Sequence, residues 1–207
     1  MEPLEPPPPL CFVLMPFGRK TDAAGRVTDF DSVFRTIIAP AVQDAGLEPI
    51  RADEEKIGGT IHKPMFERLM LCHYAVADIT GANPNVFYEL GIRHALRPAS
   101  TAIVFLEGTV IPFDVALARG IAYRTNAAGE PVETESVKAA ITGHLRAARQ
   151  NPHPDSPLFQ LVDVMVLGAR IPVLSFQSCG LPALLAGACG GLAAWVVTIG
   201  LRPIAKE

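Results

Sequence analysis

Two acids sit where acids are expensive. Glu89, in "NPNVFYELGIRHA" (83–95), lies among Phe87, Tyr88, Leu90 and Ile92, and Asp78 ends the apolar run "YAVAD" (74–78). An uncompensated polar group loses roughly 2–7 kcal/mol on leaving water. Such a carboxyl must therefore be paired, hydrogen-bonded, protonated or put to use. At the start of a helix the backbone dipole favours the anion, while aromatic neighbours raise the pKa by desolvation. A carboxyl held between these two influences can act as a nucleophile or as an acid/base. The alternative is structural: Glu89 caps the helix or pairs with Arg93 four residues on, a spacing worth about 0.3–0.5 kcal/mol when exposed. Spacing leaves both readings open.

Other polar residues gather at predicted strand ends. Arg19 follows the first strand, Arg51 and Asp53 end the second, Asp78 ends the third, and Asn83 and Asn85 stand in the loop and helix start that follow. In an open parallel sheet the ligand crevice lies outside the carboxyl ends of the strands, at the switch in strand order. Tyr88, Arg93 and His94 are secondary candidates. Arg93 is read either as a phosphate ligand or as a solvated helix residue, and His94 as a packing or capping residue. Cys11, Cys72, Cys179 and Cys189 form no CxxC pair. They are expected to be buried reduced thiols, with no zinc site and no disulfide framework. No cofactor or metal is expected.

Short apolar runs alternate with amphipathic stretches. "LCFVLM" (10–15), "LEPIRAD" (47–53), "YAVADI" (74–79), "TAIVFL" (101–106) and "GIAYR" (120–124) predict strands. Helical spacing appears over 29–46, with Pro40 expected to kink it, and over 60–72, 86–96 and 135–148. Strands and helices in alternation predict an α/β fold: a three-layer, doubly wound, parallel five-stranded sheet.

The chain has 207 residues, enough for one ordinary domain and an appendage. A net charge of −3 with no Lys/Arg run excludes nucleic acid as a main partner. "MEPLEPPPPL" opens the chain with two acids and a proline run, so residues 1–9 are expected to be a disordered leader and not a secretory signal. The domain is expected over 10–150 and a Pro-rich linker over 151–180. Residues 181–201, "LPALLAGACGGLAAWVVTIGL", carry no charge and match the length of a bilayer span, about 20 residues. The expectation is a C-terminal hydrophobic helix anchoring a cytoplasmic domain to the inner membrane. A buried terminal helix, or an end that packs on no site, are the alternatives.

"FVLMPFG" (12–18), "VADIT" (76–80) and "NPNVFYELGIRHA" resemble the nucleoside 2-deoxyribosyltransferase-like family, whose wider fold group includes the TIR domains. The resemblance spans roughly residues 10 to 125. It implies that Met15-Pro16-Phe17-Gly18 lies beside a sugar, that Glu89 attacks an anomeric carbon, and that Asp78 assists as the nearby acid. The expected substrate contacts are then Phe17 and Gly18 of that turn, the strand-end residues Arg51, Asp53, Asn83 and Asn85, and the secondary candidate Tyr88. Where these transferases commonly have an Asp six residues before the nucleophile, this chain has Asn83. That departure shifts the expectation from base exchange toward N-glycosidic cleavage of a nucleoside, nucleotide or NAD-like ligand, and the resemblance also implies a homo-oligomer. The sequence also resembles a branch found in bacterial conflict and signalling proteins, which implies the alternative of a silent nucleotide-sensing or protein-interaction module.

Overall fold

The computed structural model describes residues 7–22, 24–52, 62–116 and 120–161. Asp53, Cys179, Cys189 and the apolar stretch 181–201 lie outside the described residues.

The class is α/β. Strands β1 (Leu10–Leu14), β4 (Glu48–Arg51), β5 (Tyr74–Asp78), β6 (Thr101–Leu106), β7 (Ile121–Thr125) and β8 (Pro131–Val132) form one sheet in the order β4-β1-β5-β6-β7-β8. Five pair in parallel, while β8 runs antiparallel to β7. The sheet is thus six-stranded and mixed, not five-stranded and wholly parallel. The sixth strand arises because Asn126 folds the chain back: its Oδ1 accepts from Ala128 N (2.9 Å) and Glu130 N (3.0 Å).

Alternation along β1 sends its side chains to two cores. Cys11, Val13 and Met15 pack with the helical run over residues 30–44 and with Val137, Ile141 and Leu145 of α6 (Thr134–Gln150). Phe12 and Leu14 pack on the other face with Ala75, Ala77, Leu69, Val86 and Leu90. These last three come from α3 (His62–Leu71) and α4 (Pro84–Leu96). Each fully buried aliphatic or Phe side chain contributes about 1.5–3 kcal/mol, so both faces of β1 must be covered for the fold to hold. Cys11 and Cys72 are buried free thiols.

Between β1 and β4 lie α1 (Phe30–Val33), a π-helical turn Phe34–Ile38, and α2 (Ala39–Asp44). Asp29 caps α1 through Oδ1 to Ser32 N (2.9 Å). The proline expected to kink this helix is accommodated by the wider turn. Ala39 N–H reaches Phe34 O one residue further than in an α-helix, and Pro40 has no N–H to place.

A separate hairpin, β2 (Arg19–Thr21) and β3 (Val27–Asp29), interrupts the path from β1 to α1. Sequence patterning gave no sign of it, because its first strand, Arg-Lys-Thr, is exposed and has no apolar alternation. Asp22 turns it, with Oδ1 accepting from Ala24 N and Arg26 N, both at 2.9 Å. Asp29 N donates to Gly129 O (2.9 Å) and Arg19 to Ala128 O, so the hairpin is held against the β7–β8 turn.

Arg93 is neither a phosphate ligand nor solvated: it is fully buried. Its guanidinium donates to Leu69 O (3.1 Å), Cys72 O (2.5 Å), His73 O (3.3 Å) and Thr101 Oγ1 (3.4 Å). Arg97 adds bonds to Met70 O (2.8 Å) and Leu71 O (2.9 Å). Arg93 of α4 and Arg97 at its C-cap thus satisfy carbonyls at the end of α3 and in the turn after it. Burial lowers the Arg93 pKa to about 10, leaving it a cation at neutral pH.

Beyond α6, Asp155 accepts Thr101 N (2.8 Å) and Ser156 Oγ donates to His94 O (2.7 Å). The short helices α5 (Phe113–Ala116) and α7 (Pro157–Leu161) complete the described elements, and Phe159 of α7 is buried. The compact unit accordingly runs to Leu161, past residue 150. Among the described residues no helix is long and apolar enough to cross a membrane.

Candidate functional site

Strand order reverses between β1 and β5. The chain leaves β1 for β4 on one side and leaves β5 for β6 on the other. At that reversal the loops after the two strands part toward opposite faces, leaving a crevice. A cleft of about 350 Å³ lies there, within the range of small-molecule sites. Pro16 flanks it from the β1 side and Thr80, Gly81 and Asn83 from the β5 side, while the β2–β3 hairpin contributes Lys20, Arg26 and Thr28.

Asp78 ends β5 directly beneath this cleft's Thr80 but has no exposed surface. Its Oδ1 accepts Thr80 N (3.0 Å) and its Oδ2 accepts the Tyr123 hydroxyl (3.0 Å). Since Tyr123 spends its one proton on Asp78, the 2.9 Å contact between Thr80 Oγ1 and Tyr123 Oη must be a donation from Thr80. Thr80 Oγ1 in turn accepts Leu106 N (2.8 Å). Burial pushes the Asp78 carboxyl up to about 6, and the donors from Thr80 and Tyr123 oppose it. The network ties the ends of β5 and β6 to the middle of β7, leaving Asp78 to hold the cleft-lining turn.

Asn83 caps α4. Its Oδ1 accepts Asn85 N (2.9 Å) and Val86 N (3.4 Å), and Pro84 fills the first helical position, where no N–H is needed. With the amide oxygen spent on backbone donors, the Asn83 NH2 remains the group available to the cleft. Asn85 serves this cap through its backbone.

Phe17, Gly18 and Arg51 meet, around a residue that sequence reasoning missed. Asp31 Oδ1 accepts both Arg51 Nη1 (2.8 Å) and Gly18 N (3.2 Å). The Arg51 guanidinium stands 5.2 Å from the Phe17 ring centroid and 4.7 Å from that of Phe34. The Arg51 hydrogen bond, then that from Gly18, hold the Asp31 carboxyl below its ordinary pKa. Gly18 has a φ of 64°, the left-handed turn that releases β1 into the hairpin.

Glu89 stands six residues beyond the Asn83 cap, half-buried on α4. It has no hydrogen bond or ion pair among the described residues, and the neighbouring cation, Arg93, is committed to the end of α3. Burial pushes the Glu89 carboxyl up to about 7. Tyr88 beside it is 63% exposed, with its ring edge-on to Phe66 at 6.4 Å.

The structure therefore forms three groups: Phe17–Gly18–Arg51 around Asp31, Asp78 with Thr80 and Tyr123, and Asn83 with Asn85 at the α4 cap. Among the described residues no hydrogen bond or ion pair joins Glu89 to any of them. Lys20, Thr28, Asp31, Thr80 and Tyr123 escaped the sequence reading. The only local signal for any of them was the pair of acids in "DFDSVF" (29–34), of which the first caps and the second binds Arg51. Among the described residues no group of three or more His, Cys, Asp or Glu is placed to hold a metal. In comparisons with protein families and curated proteins, the chain matches no family model and no curated protein.

Proposed function

We propose that this chain cleaves or transfers at the N-glycosidic bond of a nucleoside, nucleotide or NAD-like ligand, with Glu89 as nucleophile. The reading rests on one observation: a half-buried carboxyl in the second turn of α4, past the first turn in which the sequence placed it, unpaired among the described residues and with a pKa raised to about 7. The ionised carboxylate attacks the anomeric carbon as the C–N bond breaks. The base leaves with the bonding electrons and takes up a proton, and water or a second base then displaces the Glu89 ester. Asp78 acts as a positioning residue, holding the Thr80–Ala82 turn at the mouth of the crevice. The order β4-β1-β5-β6-β7 of the parallel strands supports a doubly wound fold of the deoxyribosyltransferase type.

A second reading, ligand binding without turnover, has an observation in its favour. The Asp78 carboxyl is sealed and position 83 carries an amide, which is no acid, so neither supplies a second acid. One experiment separates the two. The full chain is incubated with nucleosides, nucleotides and NAD, and free base or nicotinamide is measured by chromatography. Catalysis predicts release that falls by on the order of a thousandfold or more in Glu89→Gln. Ligand binding with no release from any member of the panel supports the silent module instead.

The sequence-based proposal that residues 181–201 anchor the chain in a membrane stands apart from this chemistry. It predicts that the full chain sediments with membranes and resists carbonate extraction.

A further inference from the structure

Lys20 and Thr28 are directly opposite one another in the β2–β3 hairpin. Directly opposed residues of an antiparallel pair share one face, and both of these line the switch-point cleft. Thr28 is 4% exposed, yet its hydroxyl makes no side-chain hydrogen bond among the described residues. Lys20 makes no ion pair or side-chain hydrogen bond among them either. The Thr28 oxygen is not sealed from solvent, since the buried side-chain atoms left without a partner among the described residues are Arg93 Nε, Thr109 Oγ1 and His144 Nε2. The Thr28 hydroxyl faces the cleft beside an ammonium group.

The other polar groups of the cleft complete a donor set. Asp22, an acid of the lining, is neutralised by Arg26 (Nε–Oδ2 2.8 Å), and its other oxygen takes two backbone N–H groups. The Thr80 hydroxyl is committed to Leu106 N and Tyr123. What remains is the Lys20 ammonium, the hydroxyls of Thr21 and Thr28 and the Asn83 NH2, beside the positive end of α4. The amides of Asn85, Val86 and Phe87 are already taken by Asn83, so side chains and not helix N–H groups would have to hold a ligand.

We infer that Lys20 and Thr28 form a phosphoryl-binding subsite in the switch-point cleft, and that the ligand is a nucleotide and not a free nucleoside. A phosphoryl group matches a set that offers donors and a net positive charge. The cleft is several times larger than one phosphoryl group, so the group belongs to a larger molecule. The hairpin is a firm wall for it, fixed to the β7–β8 turn through Asp29 and Arg19. The nucleotide assignment rests on the proposed function, whereas the phosphoryl subsite rests on the cleft alone.

The test is calorimetric titration of the full chain with AMP, adenosine and inorganic phosphate, in the parent, Lys20→Ala, Lys20→Arg, Thr28→Val and a control, Lys138→Ala. AMP is expected to bind at least about tenfold more tightly than adenosine, an advantage that weakens with added salt. Lys20→Ala and Thr28→Val should reduce AMP to the affinity of adenosine without changing adenosine itself, while Lys20→Arg and Lys138→Ala retain the advantage. Equal affinity for AMP and adenosine, no AMP binding, or an AMP affinity indifferent to Lys20→Ala would overturn the subsite. Lys20-dependent binding of inorganic phosphate with no gain from the nucleoside would support the phosphoryl subsite and contradict the nucleotide. Base release has no part in this titration, so a failure of the glycosidic reading and a failure of the subsite give different results.

Discussion

Tyr123 reaches from β7 across β6 to donate its hydroxyl to Asp78 at the end of β5, at 3.0 Å. This bond makes one unit of three strands, because Thr80 joins the same pair and also receives Leu106 N from β6. The turn that lines the cleft is held from below by groups that never see solvent.

Tyr123→Phe removes that donor and leaves Asp78 Oδ2 and Thr80 Oγ1 short of a partner. A loss of about 1–3 kcal/mol in urea unfolding is expected, the range for a buried polar group left unsatisfied. Asp78→Asn should lose a similar amount, and the double variant should lose less than the sum, since both act in one network. Additive losses would show that the contact carries no coupling.

Stability should depend on pH through two carboxyls raised by burial. Asp78 moves from 3.8 to about 6 and Glu89 from 4.5 to about 7. Between pH 4 and 7 the folded chain keeps protons that the unfolded chain has released, so stability falls as pH rises through that window and levels off above it. Glu89→Gln should flatten the Glu89 part of this slope. It should be more stable than the parent at pH 8 by about 1–2 kcal/mol, a figure discounted for the part of Glu89 that solvent screens. The advantage should vanish near pH 4. Unfolding midpoints measured across pH 4–8 decide it, and equal stability of parent and variant at pH 8 would mean that burial does not hold the carboxyl back.

Arg93→Met should unfold at markedly lower urea. It leaves the carbonyls of Leu69, Cys72 and His73 without their buried donor, at a cost of about 2–4 kcal/mol. Arg93→Lys should not rescue the loss, because one ammonium cannot span carbonyls that the planar guanidinium reaches from two nitrogens. Full rescue by lysine would show that charge matters here and geometry does not.

Part of this was legible in the sequence for plain reasons. Runs such as 10–15, 74–79 and 101–106 are apolar at nearly every position because sheet strands covered on both faces must be. The apolar spacing from residue 86 marks a helix, but Asn83 and Pro84 read as loop, and the structure starts α4 two residues earlier, at Pro84, with Asn83 as its cap. Partnership over distance was not legible. Tyr123 is 45 residues from Asp78, and nothing in "GIAYR" marks its hydroxyl as a donor. Arg93 misled because Glu89 stands at the spacing of a surface pair, whereas burial sends the guanidinium to the end of α3. The hairpin carrying Lys20 and Thr28 stayed hidden since its exposed strand has no hydrophobic alternation to betray it.

The central claim, that Glu89 is a nucleophile, is tested most directly by looking for the bond it would form. The full chain is quenched in acid during turnover of whichever nucleoside or nucleotide it cleaves, and its peptides are examined by mass spectrometry. A glycosyl mass on the peptide containing Glu89, absent from Glu89→Gln, is the predicted result. Base release that continues in Glu89→Gln, or an adduct carried by another residue, would contradict it.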